Sequence, residues 1–471
     1  MLKKAKTMTL IKSISGIRGT IGGSTGEGFT PVDIVRFVAA FGCWIKNRSQ
    51  SDDVKVIVGM DARISGSMVK HLVIGTLQGL GIDVLDLGLS TTPTVEVAVP
   101  NEKAAGGIIL TASHNPKQWN ALKLLNEKGE FISALDGEEV LRRADQGDFT
   151  FAGVDHLGTV NANEDYIKWH IDQILALPTV DVDAIQKADL TVAIDCVNST
   201  GGLALPLLLD SLGVKKVESL YCEPNGIFPH NPEPLPENLK DLSKVVVDTG
   251  ADVGFCVDPD VDRLAIVSEN GDMFGEEYTL VAIADYILEN EKGCTVSNMS
   301  STRALRDVSE KHGVDYFASA VGEVNVVELM KAKGAVIGGE GNGGVIYPGL
   351  HYGRDALVGI ALFLSQLVKS GMKCSELRSS YPNYHISKNK IELTKGIDVE
   401  EVLSKLEAKY RDNPIFTTDG LKIEFETEWV HLRKSNTEPI IRIYSESQTE
   451  VRANELAQLL ITDIKGIINT N

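Results

Sequence analysis

A chain of 471 residues, 43% apolar, 24% charged and 6% aromatic, is too long for one core and predicts three or four globular domains. Its formal net charge of −19 argues against non-specific nucleic-acid binding, while local clusters of Arg, Lys and backbone N–H groups can still hold small phosphorylated ligands. No apolar run reaches the length of a bilayer span, and the basic start Met1-Leu2-Lys3-Lys4 lacks the apolar segment of a signal peptide. The expected address is cytoplasmic, with neither membrane nor nucleic acid as partner. Cysteines at 43, 196, 222, 256, 294 and 374 form no C-x-x-C pair and read as reduced core residues.

In chain order, the patterned sequence begins at Leu10, which makes Met8 an alternative start. Ser15-Gly-Ile-Arg18-Gly19 sets an arginine in a glycine-bounded loop, and Thr30-Pro31 gives an N-cap followed by proline at the first helical position. After a strand at Val54–Val58, Gly59-Met-Asp-Ala-Arg63-Ile-Ser65-Gly66 sets a second arginine in a loop. Each arginine alone reads equally as a surface salt bridge. An apolar helix then stops at Gly81 and feeds a strand; the same unit recurs at Gly213, Gly313 and Gly334, where glycine acts as a helix stop. This repeated theme indicates several α/β layers rather than one large sheet. The short apolar run Gly107–Leu110 reads as a buried strand ending abruptly in Thr111-Ala-Ser-His-Asn-Pro116, whose Asn-Pro is a turn signal. A serine is thereby held on a stiff loop beyond a strand end, where open α/β folds place their chemistry.

This first block is expected to span 1–155. A second, 156–263, contains strands at Leu190–Asp195 and Val253–Val257 and a turn at Ser199–Gly202. A third, 264–378, runs through the apolar helix that starts near Asp355. Ser379-Ser-Tyr-Pro-Asn383 reads as a linker into the last block, 379–471. That tail orders as strand (His385–Leu393), helix (Val399–Tyr410), three strands (Leu421–Phe425, Trp429–Arg433, Ile440–Tyr444) and a final helix (Val451–Ile468), an antiparallel α+β domain.

Three further segments carry chemistry. In Cys256-Val-Asp258-Pro-Asp260-Val-Asp262-Arg263 the carboxylates alternate, and three oxygen donors converging after a strand favour a hard cation such as Mg²⁺. An EF-hand would add Glu269 at the twelfth position but meets Arg263 where glycine is needed. A haloacid-dehalogenase-type start and a solvated acidic turn are the other readings. Gly338-Gly-Glu-Gly-Asn-Gly-Gly344 fits neither a P-loop nor G-x-G-x-x-G. It reads as a flexible hairpin turn, or as a loop whose Glu340 and Asn342 hydrogen-bond ligand hydroxyls. Arg433-Lys-Ser435-Asn436-Thr437-Glu-Pro439, with Arg442, has the groups of a phosphate nest or of an N-cap and turn cluster.

Taken together, these four segments in this order resemble the α-D-phosphohexomutase superfamily over essentially the whole chain. Thr111–Pro116 looks like its phosphoserine loop, Asp258–Arg263 like its Mg²⁺ loop, Gly339–Gly344 like its sugar loop and Arg433–Pro439 like its phosphate loop. The resemblance implies an α/β fold of three consecutive α/β/α domains with mixed sheets, plus a C-terminal α+β domain of the TATA-binding-protein-like type, around a central cleft. It implies a phosphoryl group carried on Ser113 and exchanged between O6 and O1 of a hexose phosphate through a hexose 1,6-bisphosphate. One Mg²⁺ per chain is expected on Asp258, Asp260, Asp262 and Ser113. Arg18, His114 and Lys123 are the proton-transfer candidates, His114 or Lys123 as base if its pKa is lowered. Arg263, Glu340, Asn342, Arg433, Ser435, Asn436, Thr437 and Arg442 are expected to bind substrate, and the protein to be a monomer or homodimer.

The sugar loop departs from the mannose/glucose-type Glu-x-Ser-Gly-His: Asn342 replaces the serine and Gly344 the histidine. This form is similar to archaeal-type phosphoglucosamine mutases and points to interconversion of glucosamine 6-phosphate and glucosamine 1-phosphate. Phosphomannomutase or phosphoglucomutase activity is the alternative. A metal-dependent sugar phosphatase and a non-catalytic sugar-phosphate sensor are the rivals of other classes. Ala121, where the family usually has glycine after the Asn at 120, has no reading from sequence.

Overall fold

The computed structural model describes residues 8–13, 16–49, 51, 53–392, 397–434 and 440–469. Four sheets follow one another along the chain, the first three mixed and flanked by helices, the last antiparallel. The first has seven strands in the order Ile11–Ser13, Gly16–Thr20, Trp119–Leu125, Gly106–Leu110, Lys55–Met60, Asp83–Leu89, Val160–Ala162. Its central strands alternate in classical period two: Val56, Val58, Ile108 and Leu110 point into one apolar cluster, Ile57 and Ile109 into the other. A sheet buried on both faces needs helices on both, which makes the layer α/β/α. Helix Pro31–Arg48 covers one face. Thr30 accepts from the Asp33 N–H and the Asp33 carboxylate returns the bond, so the predicted N-cap is present as a full capping box.

The second sheet runs Leu264–Ser268, Val253–Val257, Thr191–Asp195, Lys216–Leu220, and the third Tyr316–Ser319, Thr295–Asn298, Ile337–Glu340, Gly344–Ile346. Gly81 and Gly334 end their helices at φ of 72° and 65°, the left-handed conformation the sequence required of them. Helix Ala356–Ser370 is apolar nearly all round, and every residue from Ala356 to Leu367 is buried. It lies inside a single apolar cluster shared by the second and third sheets, so these two layers are not separate cores.

The last sheet is ordered His385–Glu392, Ile440–Ser447, Trp429–Lys434, Leu421–Glu424, Ile415–Phe416, with helices Val399–Lys409 and Glu450–Asn469 packed against it. The edge strand Ile415–Phe416 was not expected; two residues carry no readable period. This domain meets the third layer through polar contacts: Arg306 on Glu424 at 2.9 and 2.6 Å, and the Arg303 N–H on Glu446 at 2.9 Å. The cysteines are free, with Cys196, Cys256 and Cys374 buried. Among the described residues no helix is long and apolar enough to cross a membrane.

Candidate active site

Three loops leave the C-terminal ends of three strands, one per sheet, and meet. The first follows Gly106–Leu110, whose five residues are all buried. Ser113 sits at φ 47°, an uncommon conformation for a non-glycine residue. Its N–H donates to Thr111 Oγ1 (2.9 Å), and Thr111 Oγ1 donates to Asp61 Oδ2 (2.7 Å). Arg63 completes the clamp: Nε donates to Asp61 (3.0 Å), Nη1 to the carbonyls of Pro116 and Trp119 (2.9 and 3.1 Å), and Nη2 to those of Ser113 and Asn115. All five guanidinium N–H groups are engaged and the residue is buried, so Arg63 fixes the backbone of the serine loop rather than presenting free charge beside the serine.

The second loop is the hairpin between Val253–Val257 and Leu264–Ser268. Asp258, Asp260 and Asp262 are all fully buried, which disposes of the solvated acidic turn. Glu269 lies past the far end of Leu264–Ser268 and binds the N–H and Oγ of Ser375, so it is no EF-hand ligand. Thr92 donates to Asp260 through N–H (2.8 Å, to the carbonyl) and Oγ1 (2.5 Å, to Oδ2), and Ser199 and Thr200 hydroxyls hold the Pro259 carbonyl. Val261 adopts φ 64°, strained for a β-branched side chain.

Ser113 Oγ donates to Asp258 Oδ2 at 2.6 Å, and His114 Nδ1 lies 3.3 Å from the same Oγ. Lys123 reaches Asp260 and Asp262 at 2.7 and 3.1 Å. One oxygen of each aspartate lies within 4.8 Å of the others, and Asp260 Oδ1 and Asp262 Oδ1 are buried with no hydrogen-bond partner. Three hard carboxylates, two of them with an unpartnered oxygen, fit a divalent cation such as Mg²⁺. Burial and the Asp262 and Asp260 charges push the Asp258 carboxyl well up. Burial also works against Asp262, but Arg354, Lys123 and Arg263 overcome it and hold that carboxyl below the usual range.

The cations around the serine differ in state. Burial, then Arg263, pushes the His114 imidazole down to about 3, so it is neutral near pH 7. For Lys123 burial works downward, yet Asp260 and Asp262 raise it, so it is an ammonium, whereas the His114 imidazole is neutral. Arg18, half-buried and lowered by burial and by Arg263, has an Nε without a hydrogen-bond partner. Ala121 lies directly across the strand pair from Arg18.

The third loop turns between Ile337–Glu340 and Gly344–Ile346. It is a hairpin turn, but a tightly packed one. A Cβ on Gly343 (φ 84°) would lie 2.4 Å from the Leu264 carbonyl, and one on Gly344 2.3 Å from Arg354 Cδ. Glu340 accepts from Asn298 Nδ2 (2.9 Å), the Gly322 N–H (3.2 Å) and Arg354 Nη1 (2.9 Å). Arg354 also donates through Nη2 to Asp262 (2.7 Å) and pairs with Glu323 at 3.1 Å, tying the sugar-loop carboxylate to the aspartate loop. Sequence reasoning missed Arg354, Asn298 and Glu323; the one available signal was a charged Arg354-Asp355 pair opening a largely apolar helix. Arg354 also fills the space a side chain at 344 would need, which gives the histidine's absence a steric cause. Asn342 accepts from the Gly344 N–H at 3.2 Å.

On the last domain, Arg433 pairs with Asp419 at 2.7 Å, and Asp419 also accepts from the Val321 N–H (2.9 Å), next to the Gly322 that touches Glu340. Arg442 is the cross-strand neighbour of both Arg433 and Lys390, a row of three cations. Ser435, Asn436 and Thr437 lie outside the described residues, as does Ser15.

Residues 10–151, 168–271 and 275–384 match phosphoglucomutase/phosphomannomutase α/β/α domains I, II and III, and residues 390–462 match the C-terminal domain of the same family. A phosphoglucomutase/phosphomannomutase of Thermococcus kodakarensis is 38% identical over 448 residues, covering 94% of this chain and 96% of that protein. A probable phosphoglucosamine mutase of Methanopyrus kandleri is 33% identical over 458 residues, covering 96% and 97%. A solved structure of a phosphoglucomutase/phosphomannomutase family protein from Burkholderia thailandensis superposes with a TM-score of 0.83 at 23% identity, covering 98% of this chain and 97% of that one.

Proposed function

The chain belongs to the phosphoglucomutase/phosphomannomutase family, and on that premise we propose that it is a hexose-phosphate mutase that carries its phosphoryl group on Ser113. The observation that supports this reading is Ser113 Oγ at 2.6 Å from Asp258, on a clamped loop against three buried aspartates. Asp258, Asp260 and Asp262 would hold one Mg²⁺, which when bound supplies positive charge opposite the phosphoryl oxygens.

In the forward half-reaction the bond between phosphorus and Ser113 Oγ breaks as a bond to the free sugar hydroxyl forms. The hydroxyl proton passes to neutral His114, whose Nδ1 is 3.3 Å from Ser113 Oγ and can return that proton to the leaving serine oxygen. The hexose 1,6-bisphosphate then presents its other phosphate: the bond from that phosphorus to its sugar oxygen breaks as a bond to Ser113 Oγ forms, and the serine proton passes through His114 to the freed sugar oxygen. Arg18 and Arg263 stand beside the transferred group. Arg433 and Arg442, with the Ser435–Thr437 segment, take the phosphate that is not reacting. Glu340 meets ring hydroxyls with its position already fixed by Asn298 and Arg354.

For the hexose we propose glucosamine, on the Glu340–Asn342–Gly344 form of the sugar loop. The second reading, mannose or glucose, is favoured by the 38% identity to the Thermococcus protein. Intact-mass analysis after incubation with glucose 1,6-bisphosphate should find one phosphoryl group on the wild type and none on Ser113→Ala. Full mutase turnover by Ser113→Ala would overturn the serine mechanism. Comparison of kcat/KM on glucosamine, mannose and glucose 1-phosphates decides the hexose, and a preference for mannose or glucose would sink the first choice.

A further inference from the structure

A second cluster with metal-ligand chemistry includes Asp355, the residue after Arg354. His170 on helix Tyr166–Leu175 and His351 and Asp355 from the segment before helix Ala356–Ser370 bring three donor atoms within 4.8 Å of one another. His170 Nε2 and His351 Nε2 stand 3.0 and 3.3 Å from the same oxygen, Asp355 Oδ2, with the two rings at 82°. Donors bound to one ion at about 2.1 Å, with angles between 90° and tetrahedral, lie roughly 3.0 to 3.4 Å apart. The two distances to Asp355 Oδ2 fall in that range.

The hydrogen bonds of the cluster leave one ring nitrogen without a partner. If both Nε2 atoms donated to Asp355, His351 Nδ1 would be left bare, and it is buried without a hydrogen-bond partner. Glu96 faces it at 3.5 Å; that side chain is 1% exposed, and neither of its oxygens has a partner. With an ion on the Nε2 atoms, each imidazole instead carries its proton on Nδ1. His170 Nδ1 then donates to Thr94 Oγ1 (3.0 Å) and His351 Nδ1 to Glu96, the outer-shell pattern that orients metal-bound histidines.

We propose that His170, His351 and Asp355 bind a divalent first-row transition metal of the zinc type, separate from the Asp258–Asp262 site and held there as a structural tie. Two imidazoles and one carboxylate suit such an ion better than Mg²⁺. It would join the helix that follows the first sheet to the segment that carries Arg354, and so fix the guanidinium that grips Asp262 and Glu340.

The test uses full-length protein carrying Asp258→Asn and Asp260→Asn, which removes the competing oxygen site. After loading with zinc and gel filtration, metal analysis by mass spectrometry should find one equivalent per chain, and adding His351→Gln or His170→Gln should abolish it. Co²⁺ in place of zinc should give visible absorption that the histidine variants lack. Circular dichroism checks each fold, and His351, at the margin of the cluster, serves if His170→Gln does not fold. A folded double-Asn protein that takes up neither zinc nor cobalt, or a His351→Gln variant that keeps its full equivalent, would overturn the proposal.

Discussion

One methyl group at Gly344 tests the account of the sugar loop. The Cβ of Gly344→Ala would lie 2.3 Å from Arg354 Cδ and 3.1 Å from its Cγ, where carbon atoms normally keep about 3.5 Å or more. Arg354 has to retreat by roughly an ångström to restore that separation. Its head is held at 2.7 Å to Asp262 and 2.9 Å to Glu340, so a shift of that size opens both bonds. Charge-assisted hydrogen bonds contribute about 1.5–3 kcal/mol each. Partial loss of two gives about 3 kcal/mol, on the order of a hundredfold in kcat/KM. The assay is conversion of the preferred hexose 1-phosphate at saturating Mg²⁺, with circular dichroism for the fold. Gly137→Ala, in helix Ala134–Gln146 with open space at its Cβ, is the control for a glycine-to-alanine change as such. A Gly344→Ala enzyme within threefold of wild type would refute the reasoning. By the same geometry, Gly344→His should fall further and should not restore a catalytic histidine.

Arg63→Lys keeps one charge but cannot hold Asp61 and four carbonyls at once; kcat should fall on the order of tenfold or more with KM little changed, read in steady-state kinetics. Chelation with EDTA should stop turnover reversibly in the wild type, and Mg²⁺ should fail to restore it in Asp262→Asn. His431 is a stability probe: burial, reinforced by Lys422 and opposed by its bond to Asp419, lowers it to about 4. The unfolded chain, titrating near 6.5, binds the proton first, so stability present above that pH is lost as pH falls toward 4. Roughly 2 kcal/mol should go between pH 7 and pH 5, measured by urea midpoints, and His431→Gln should flatten the profile.

What the sequence made legible was local. Thr30 and Asp33 spell out their capping box within four residues, Gly81 and Gly334 announce their helix ends, and the serine and aspartate loops stand directly after apolar strands. The residues it hid act across long separations. Arg354 meets Asp262 over 92 positions and Thr92 meets Asp260 over 168, and no periodicity connects them. Arg63 was visible as a charge but not as a clamp, because its partners are main-chain carbonyls, which leave no trace in the choice of side chain. The shared core of the second and third sheets was equally hidden. Helix Ala356–Ser370 reads as buried, yet its sequence does not say which layers bury it.

That shared core sets how the molecule should melt. Apolar side chains from Ile167 to Tyr381 form one continuous cluster, while the first sheet and the last domain keep their own. Removing either partner from the common cluster would expose the other, so the two layers lose structure together. A calorimeter should therefore resolve at most three cooperative units from four successive sheets. A fragment cut between residues 271 and 275, where the second and third matched family domains adjoin, should yield two halves that are soluble only when mixed.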